Sequence, residues 1–206
     1  EQRTCQSCHM PTVEEATPIA SVLGQPRQGL ARHIFVGGNS FMLRMLNRYR
    51  AELGVSALPQ ELDASARRTV QNLQEATATL SIERAEVAAS RLNIDIAVQN
   101  LTGHKFPTGY PARRAWLHLT VRDRSGRQIF ESGGLAASGL IQGNDNDADG
   151  TKFEPHYTEI RATDQVQIYE SIMGTPAGVP TTALLQATQY LKDNRLLPRG
   201  FAKDTA

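Results

Sequence analysis

The sequence lacks an excess of either charge and lacks any long hydrophobic run. Of its 206 residues, 22 are Lys or Arg and 21 are Asp or Glu, which gives a formal net charge of +1. A nearly neutral chain has no general electrostatic attraction for nucleic acid or for an anionic membrane. No stretch reaches the roughly 18 apolar residues of a transmembrane helix, and the first residues do not form a basic and then apolar export signal. We therefore expect a soluble chain that has been processed or truncated.

Cysteine is scarce, since Cys5 and Cys8 are the only two in the chain. A disulfide between them would close a very small loop, and such a loop stabilises a protein little. A structural zinc site normally needs four Cys or His ligands in paired clusters, and the sequence has no second Cys pair. The spacing of these two cysteines is therefore more informative than their number.

The segment Cys5-Gln6-Ser7-Cys8-His9 matches the C-x-x-C-H signature of covalent haem attachment. Thiols three residues apart lie on one turn, where each can form a thioether with one haem vinyl group, and the adjacent imidazole faces the iron. The alternative is a thioredoxin-like redox pair, but that motif follows a strand, and only residues 1–4 precede it here. The sequence predicts one haem c, with Cys5 and Cys8 as thioethers and His9 as the proximal ligand. Because bacteria attach haem c outside the cytoplasm, we expect a periplasmic or extracellular protein.

Several residues are candidates for the sixth iron ligand. His33 is favoured, because it lies between a Pro- and Gly-containing stretch and a predicted helix, where it can reach a haem edge. His104 is the second choice, in a loop rich in turn-forming residues. Met42 and Met45 are thioether alternatives. They lie on the apolar face of a predicted helix, however, and such a face is typical of a core or a haem wall. Met10 directly follows the proximal ligand and cannot reach the opposite haem face. The remaining histidines are interpreted as structural: His118 and His156.

The hydrophobic pattern predicts an α+β protein whose first part is helical. Residues 10–39 contain several prolines and glycines and are expected to form a loop folded over the haem. Residues 41–53 form a predicted helix capped by Ser40, and a second helix is expected over 64–80, capped by Asp63 or Ser65. We therefore assign residues 1–80 to a helical haem-binding region.

From Ser81 the period of the pattern changes to that of strands. Residues 91–99 alternate without a fault between apolar and polar side chains. Residues 114–122 and 127–131 predict a hairpin, and 165–169 a further strand. Short strands of this kind are typical of an antiparallel sandwich. The second region, residues 81–206, is thus predicted to be an immunoglobulin-like β-sandwich with an irregular C-terminal extension.

An acidic segment partly matches a calcium-binding loop. Asp145, Asp147 and Asp149 occupy positions 1, 3 and 5, and Gly150 occupies position 6. Position 12 holds His156 instead of the bidentate glutamate. This segment is therefore either a calcium-binding loop or a solvated acidic turn, and the sequence does not choose between the two.

Three segments together resemble bacterial periplasmic multihaem c-type cytochromes. They are residues 5–11, the segment around His33 that continues through residues 37–39, and residues 103–109 followed by 113–118. The C-terminal stretch 192–198 also resembles the end of such proteins, without an assignable role. The resemblance implies bis-histidine ligation with His33 as the sixth ligand. Multihaem proteins carry several attachment motifs and this chain carries one. It is thus a monohaem relative, or a fragment in which His33 or His104 would ligate a haem of the missing part.

The motif favours an electron carrier over an enzyme, because no nucleophile and base constellation accompanies it. Expected partners are redox proteins, other haem domains or a second copy of the chain. One alternative is the haem-bearing part of a multihaem oxidoreductase with an open iron position. Another is that the β-rich region is a docking module for a redox partner. Basic residues that would serve the open iron site are Arg32, Lys105, Arg113 and Arg114.

Overall fold

The computed structural model describes residues 4–202 and 204, which group into two compact units. The first unit comprises residues 4–103 with 202 and 204, and the second comprises His104–Phe201. The units divide after Gly103, so the hairpin that follows the predicted boundary at residue 80 belongs with the helices. The assignment of haem binding to residues 1–80 stays a prediction.

The first unit begins with a short helix and an irregular segment. Helix α1 is Cys5–His9, and the strands β1 (Thr17–Pro18) and β2 (Pro26–Arg27) pair antiparallel over two residues each. An isolated antiparallel bridge joins Thr12 and Ala31. Prolines, which cannot donate to a strand ladder, keep these strands short. The prediction of a mostly irregular segment over 10–39 is confirmed.

Two helices pack together in the first unit, and their ends differ from the prediction. Helix α2 is Ser40–Arg48, and its cap is Asn39, whose side chain accepts a 3.1 Å hydrogen bond from the Met42 amide. Ser40 is therefore not the cap. Helix α3 is Pro59–Glu75 instead of 64–80, because Pro59 is already suited to the first helical position and Glu61 accepts the Leu58 amide at 2.9 Å.

A long antiparallel ribbon follows α3. Strand β3 is Ala78–Ala88 and strand β4 is Arg91–Asn100, and they pair along their whole length. The prediction of a strand over 91–99 is confirmed. Residues 78–80, predicted as helix, are the beginning of β3.

The second unit is built from short antiparallel pairs. Strand β5 (Ala115–Trp116) pairs with β8 (Ile168–Tyr169), β6 (Leu119–Arg122) pairs with β7 (Gln128–Ser132), and β9 (Ser171–Gly174) pairs with β10 (Gln189–Asp193). The predicted hairpin is present in β6 and β7, but its first strand is shorter than the predicted 114–122, because residues 115–116 form the separate strand β5. Of the residues predicted as a strand over 165–169, only the last two are in a strand. All described sheets have two strands, and the immunoglobulin-like sandwich stays a prediction. The unit also contains the short helix α4 (Asp145–Ala148) and a 3₁₀ turn (Leu184–Gln186).

The core of the second unit is small. Ile141, Val166 and Ile168 are buried together, and Trp116 packs against them. The Trp116 indole donates a 2.9 Å hydrogen bond to the Gly133 carbonyl. Gly133 has a φ of 71°, and a Cβ there would collide with the Leu117 carbonyl, so this close approach requires glycine. No described helix is long and apolar enough to cross a bilayer.

Candidate functional site

Helix α1 presents both thiols on a single turn. Cys5 and Cys8 are exposed and are not joined in a disulfide. Residues three apart lie on the same side of a helix. The turn is held at its start by Ser7, whose amide and hydroxyl both donate to the Thr4 carbonyl, at 3.1 and 2.7 Å. Two accessible sulfurs on one helical turn are what double thioether attachment requires.

The half-buried imidazole of His9 is fixed by a backbone carbonyl. His9 Nδ1 lies 2.5 Å from the Val36 carbonyl oxygen, and the Val36 amide donates a 3.1 Å hydrogen bond to the His9 carbonyl. Because a carbonyl only accepts, Nδ1 must carry the proton and donate it. In the neutral ring Nε2 then bears the lone pair. This is the tautomer that a metal-ligating histidine needs, with the type of outer hydrogen bond that orients such ligands.

The segment that supplies this carbonyl lies antiparallel to the residues after His9. The Arg32 amide donates to the Pro11 carbonyl at 3.0 Å, and the Val13 amide donates to the Leu30 carbonyl at 2.9 Å. Phe35, just before Val36, has a φ of 43°. A left-handed backbone costs a bulky L-residue on the order of 1–2 kcal/mol. Strain of this kind concentrates at functional positions.

The favoured distal candidate, His33, belongs to this same antiparallel segment. Its side chain is exposed, and its ring stacks on Phe35 with centroids 5.7 Å apart and planes 12° apart. The structure thus brings the His33 segment alongside the residues that follow His9. The thioether alternatives lie on α2, where Met42 is 39% exposed and Met45 is half-buried.

The second distal candidate, His104, lies in the second unit. Its Nδ1 is 3.1 Å from the Lys105 carbonyl. The loop that follows is anchored from the C-terminal strand, because Lys105 forms a 2.6 Å ion pair with Asp193 and the Arg195 guanidinium donates to the Gly109 carbonyl at 2.9 Å. This anchoring gives the stretch 192–198 a structural role that its sequence did not reveal.

Arg195 and Asp193 form the strongest charged contact of that anchor. The guanidinium donates through Nε and through one terminal nitrogen to the two Asp193 oxygens, at 2.7 and 2.8 Å, and the Arg195 side chain is only 3% exposed. Hydrogen bonding from Arg195 holds the pKa of Asp193 far below its usual value. Desolvation acts in the opposite direction and raises this pKa, whereas the contact with Lys105 lowers it further. The carboxylate is therefore charged throughout the ordinary pH range.

The other two histidines make side-chain contacts within the second unit. His118 Nε2 lies 2.8 Å from the Glu131 carboxylate and lowers the pKa of that acid. His156 Nδ1 is 2.8 Å from the Gln167 amide nitrogen and 3.2 Å from that of Asn194. Both rings are thus engaged by neighbouring polar groups.

The acidic segment forms α4 and its following turn, and the carboxylates of Asp147 and Asp149 are engaged with different neighbours. Asp147 accepts the Ile141 amide at 2.8 Å and pairs with Arg114 at 2.7 Å. Desolvation would raise the pKa of Asp147, but these contacts lower it overall. Asp149 accepts both the amide and the hydroxyl of Thr151. Within the described part of the chain, no three His, Cys, Asp or Glu side chains converge to hold a metal ion. Calcium at this turn stays a prediction without geometric support.

Comparison with known proteins finds a solved structure that resembles this chain. No family model and no curated protein matches the chain. The match is a penta-heme cytochrome c552 from Thermochromatium tepidum, which is 20% identical, with a TM-score of 0.51 over 96% of this chain. This chain spans 34% of the length of that protein. At this identity the likeness shows a shared fold, mixed in helix and strand.

Proposed function

We propose that the chain attaches one haem c through Cys5 and Cys8, binds its iron through His9, and works as an electron-transfer cytochrome or cytochrome domain. The observation that carries the proposal is the His9 hydrogen bond to the Val36 carbonyl, on the same turn as two exposed thiols. The donor set fits the group, because it offers two thiols and an imidazole nitrogen with its lone pair available. The fold shared with part of a penta-heme cytochrome adds support.

A haem held in this way supplies a one-electron carrier whose potential depends on its axial ligands and their hydrogen bonds. The residues of the chain contribute position and polarity. The Val36 carbonyl fixes the orientation and the tautomer of the His9 ring. The antiparallel pairing of residues 11–13 with 30–32 keeps that carbonyl in place.

Bis-histidine ligation is the proposed coordination, with His33 as the distal ligand and His104 as the second choice. His33 is favoured because it is exposed in the irregular segment that precedes α2 and because the resemblance to multihaem cytochromes implies it. Two histidines give a lower reduction potential than a histidine and a methionine. The expected compartment is the periplasm or the cell exterior, where haem c is attached, and the expected partners are redox proteins or other haem domains.

Export of the full chain to the periplasm of a bacterium with a haem c maturation system tests attachment. We expect the intact mass to rise by one haem and the pyridine haemochrome spectrum to show two thioether bonds. Cys5→Ser and Cys8→Ser should each lose one thioether, whereas Gln6→Ala, between them, should keep both, because the Gln6 side chain is exposed. A colourless wild-type chain after maturation would refute attachment.

Ligation is tested on the same preparations. His9→Ala should lose the low-spin spectrum, and His118→Ala, in the second unit, should keep it. His33→Ala should give high-spin iron if His33 is the distal ligand. If high-spin iron appears in His104→Ala and not in His33→Ala, the distal ligand is instead His104.

A second candidate is the haem-bearing part of a multihaem oxidoreductase with an open iron position. It is favoured by the match to one third of a longer multihaem chain. Two of the basic residues considered for substrate binding form ion pairs, Lys105 with Asp193 and Arg114 with Asp147. A five-coordinate, high-spin iron in the wild-type protein would favour this candidate over the electron carrier.

A further inference from the structure

The ribbon of β3 and β4 has one face made only of aliphatic side chains. The cross-strand register places Leu80 opposite Val98 and Ile82 opposite Ile96. Glu83 has no residue opposite it on β4 and forms a bulge, after which Arg84 lies opposite Asp95. The aliphatic alternation then resumes on the same face. The face consists of Leu80, Ile82, Ala85, Val87, Leu92, Ile94, Ile96 and Val98.

Much of this face is exposed in the single chain. Val87 is 79% exposed, Leu80 65%, Ile82 63% and Leu92 45%. Together with the half-buried isoleucines of β4, they form a patch on the order of 500 Å², at the upper end for a monomer, and patches of that size are often functional. We call it the aliphatic face of the ribbon.

The opposite face is polar, and its charges are matched. Arg84 forms a 2.7 Å ion pair with Asp95 across the strands and lies 3.5 Å from Glu86. Both signs occur on this face, so it needs no partner to neutralise it. The ribbon is therefore amphipathic, and only its aliphatic face is left to be covered.

A two-stranded ribbon is at best marginally stable alone in water and requires something packed on its apolar face. The usual cover for a flat aliphatic sheet is a second sheet of similar length, about 10 Å away. β3 and β4 have 11 and 10 residues, whereas no strand in the other described sheets exceeds five. The ribbon of a second copy is a sheet that matches it in length and twist.

We infer that two copies of this chain associate by packing the aliphatic faces of their ribbons into a four-stranded sandwich. The pair would bury on the order of 1,000 Å², which is the lower limit for a specific interface. A contact of this size and composition fits a reversible dimer with micromolar affinity. The inference does not depend on haem attachment.

Sedimentation equilibrium of the full chain at about 1 to 200 μM tests this inference, since that range spans micromolar dissociation. We expect dimer at the upper end, and we expect it to persist when NaCl is raised to about 0.5 M, because apolar contacts are not screened. Ile82→Lys with Val87→Lys puts two charges on the aliphatic face and should weaken association at least tenfold. The matched control, Ser81→Lys with Asn93→Lys, puts the same two charges on the polar face and should leave the affinity unchanged.

Circular dichroism of each variant checks that the fold is retained. Val87→Thr, which keeps the side-chain shape and adds no charge, should weaken the dimer several-fold and supplies a second measure. A wild-type chain that is monomeric at the highest concentration would overturn the inference, since the face would then be covered by something other than a second copy. Dissociation by the polar-face control, or persistence of the dimer in the aliphatic-face variant, would overturn it as well.

Discussion

Replacing Arg195 by glutamine should destabilise the second unit more than replacing any exposed arginine. In the native protein, this guanidinium makes a two-point contact with Asp193 and donates to the carbonyls of Thr108 and Gly109 at 3.3 and 2.9 Å. It also lies over the Tyr190 ring, 5.5 Å from the ring centre. Glutamine would leave the carboxylate and both carbonyls without these donors.

The magnitude follows from how deeply the pair is buried. Breaking a buried ion pair by removing one partner costs roughly 3–5 kcal/mol. Arg195 is 3% exposed and Asp193 16%, and Lys105 remains as a partner for the acid. We therefore expect a loss of about 3 kcal/mol, near the lower end, which corresponds to a decrease of about 15 °C in the melting temperature of a unit of this size.

Urea unfolding followed by fluorescence of Trp116 measures the effect, because the only tryptophan of the chain lies in the second unit. The matched control is Arg161→Gln, since Arg161 is 75% exposed and pairs with an exposed Glu159. An exposed pair is worth about 0–1 kcal/mol, so the control should change little.

The pH dependence gives a second check. The pKa of Asp193 is lower in the folded chain than in the unfolded chain, so its ion pair stabilises the fold above about pH 4 and this stabilisation is lost as the pH falls. The free-energy difference between wild type and Arg195→Gln should be constant above about pH 5 and should narrow below pH 4. A loss no larger than that of the control, or a difference that grows on acidification, would refute this reasoning.

Three further predictions concern other described contacts. Glu170→Gln leaves Lys192, which is 7% exposed, without its charged partner and should cost about 3–5 kcal/mol. The double replacement Glu170→Leu with Lys192→Met should recover most of that lost free energy. The same urea titration measures single and double variants, and a double variant whose loss equals the sum of the single losses would contradict the prediction. Asn39→Ala removes the cap of α2 and should cost about 1 kcal/mol, while Asn39→Asp keeps the acceptor, as thermal unfolding followed at 222 nm would show; equal losses would speak against the cap. Millimolar calcium should leave the melting temperature unchanged, because the carboxylates of Asp147 and Asp149 are engaged with different neighbours; a rise of several degrees would mean that they can converge.

The ribbon illustrates what hydrophobic periodicity can predict. Strand β4 was predictable because its alternation has no fault, and the structure confirms it within one residue. For its partner β3 the pattern showed a strand period from Ser81 but not the bounds of the strand, because the extra residue at Glu83 interrupts the alternation and the residues around it are ordinary helix formers. The early start of α3 depends on Pro59 and on a side chain that caps backward from Glu61, a signal present in the sequence but weaker than the hydrophobic stripe that follows.

The candidate site was likewise predictable from the sequence only in part. Its thiols and imidazole are adjacent in sequence, so their pattern is visible as a motif. The acceptor that orients His9 is a main-chain oxygen 27 residues away, and no residue type marks it. Likewise, the contacts of Arg195 with the carbonyls of residues 108 and 109 span 87 and 86 residues and are created only by folding.

The oxygen that holds the His9 ring belongs to the peptide unit of Val36 and not to its side chain. Replacing that valine by another residue therefore leaves the acceptor in place. Adding or deleting one residue in the preceding loop would instead place the carbonyl of a different residue beside His9 Nδ1. Ligand geometry in this chain is thus tolerant of point changes at Val36 and sensitive to loop length. Homologous chains should accordingly differ in the residue type at this position but keep the same number of residues between it and the second cysteine.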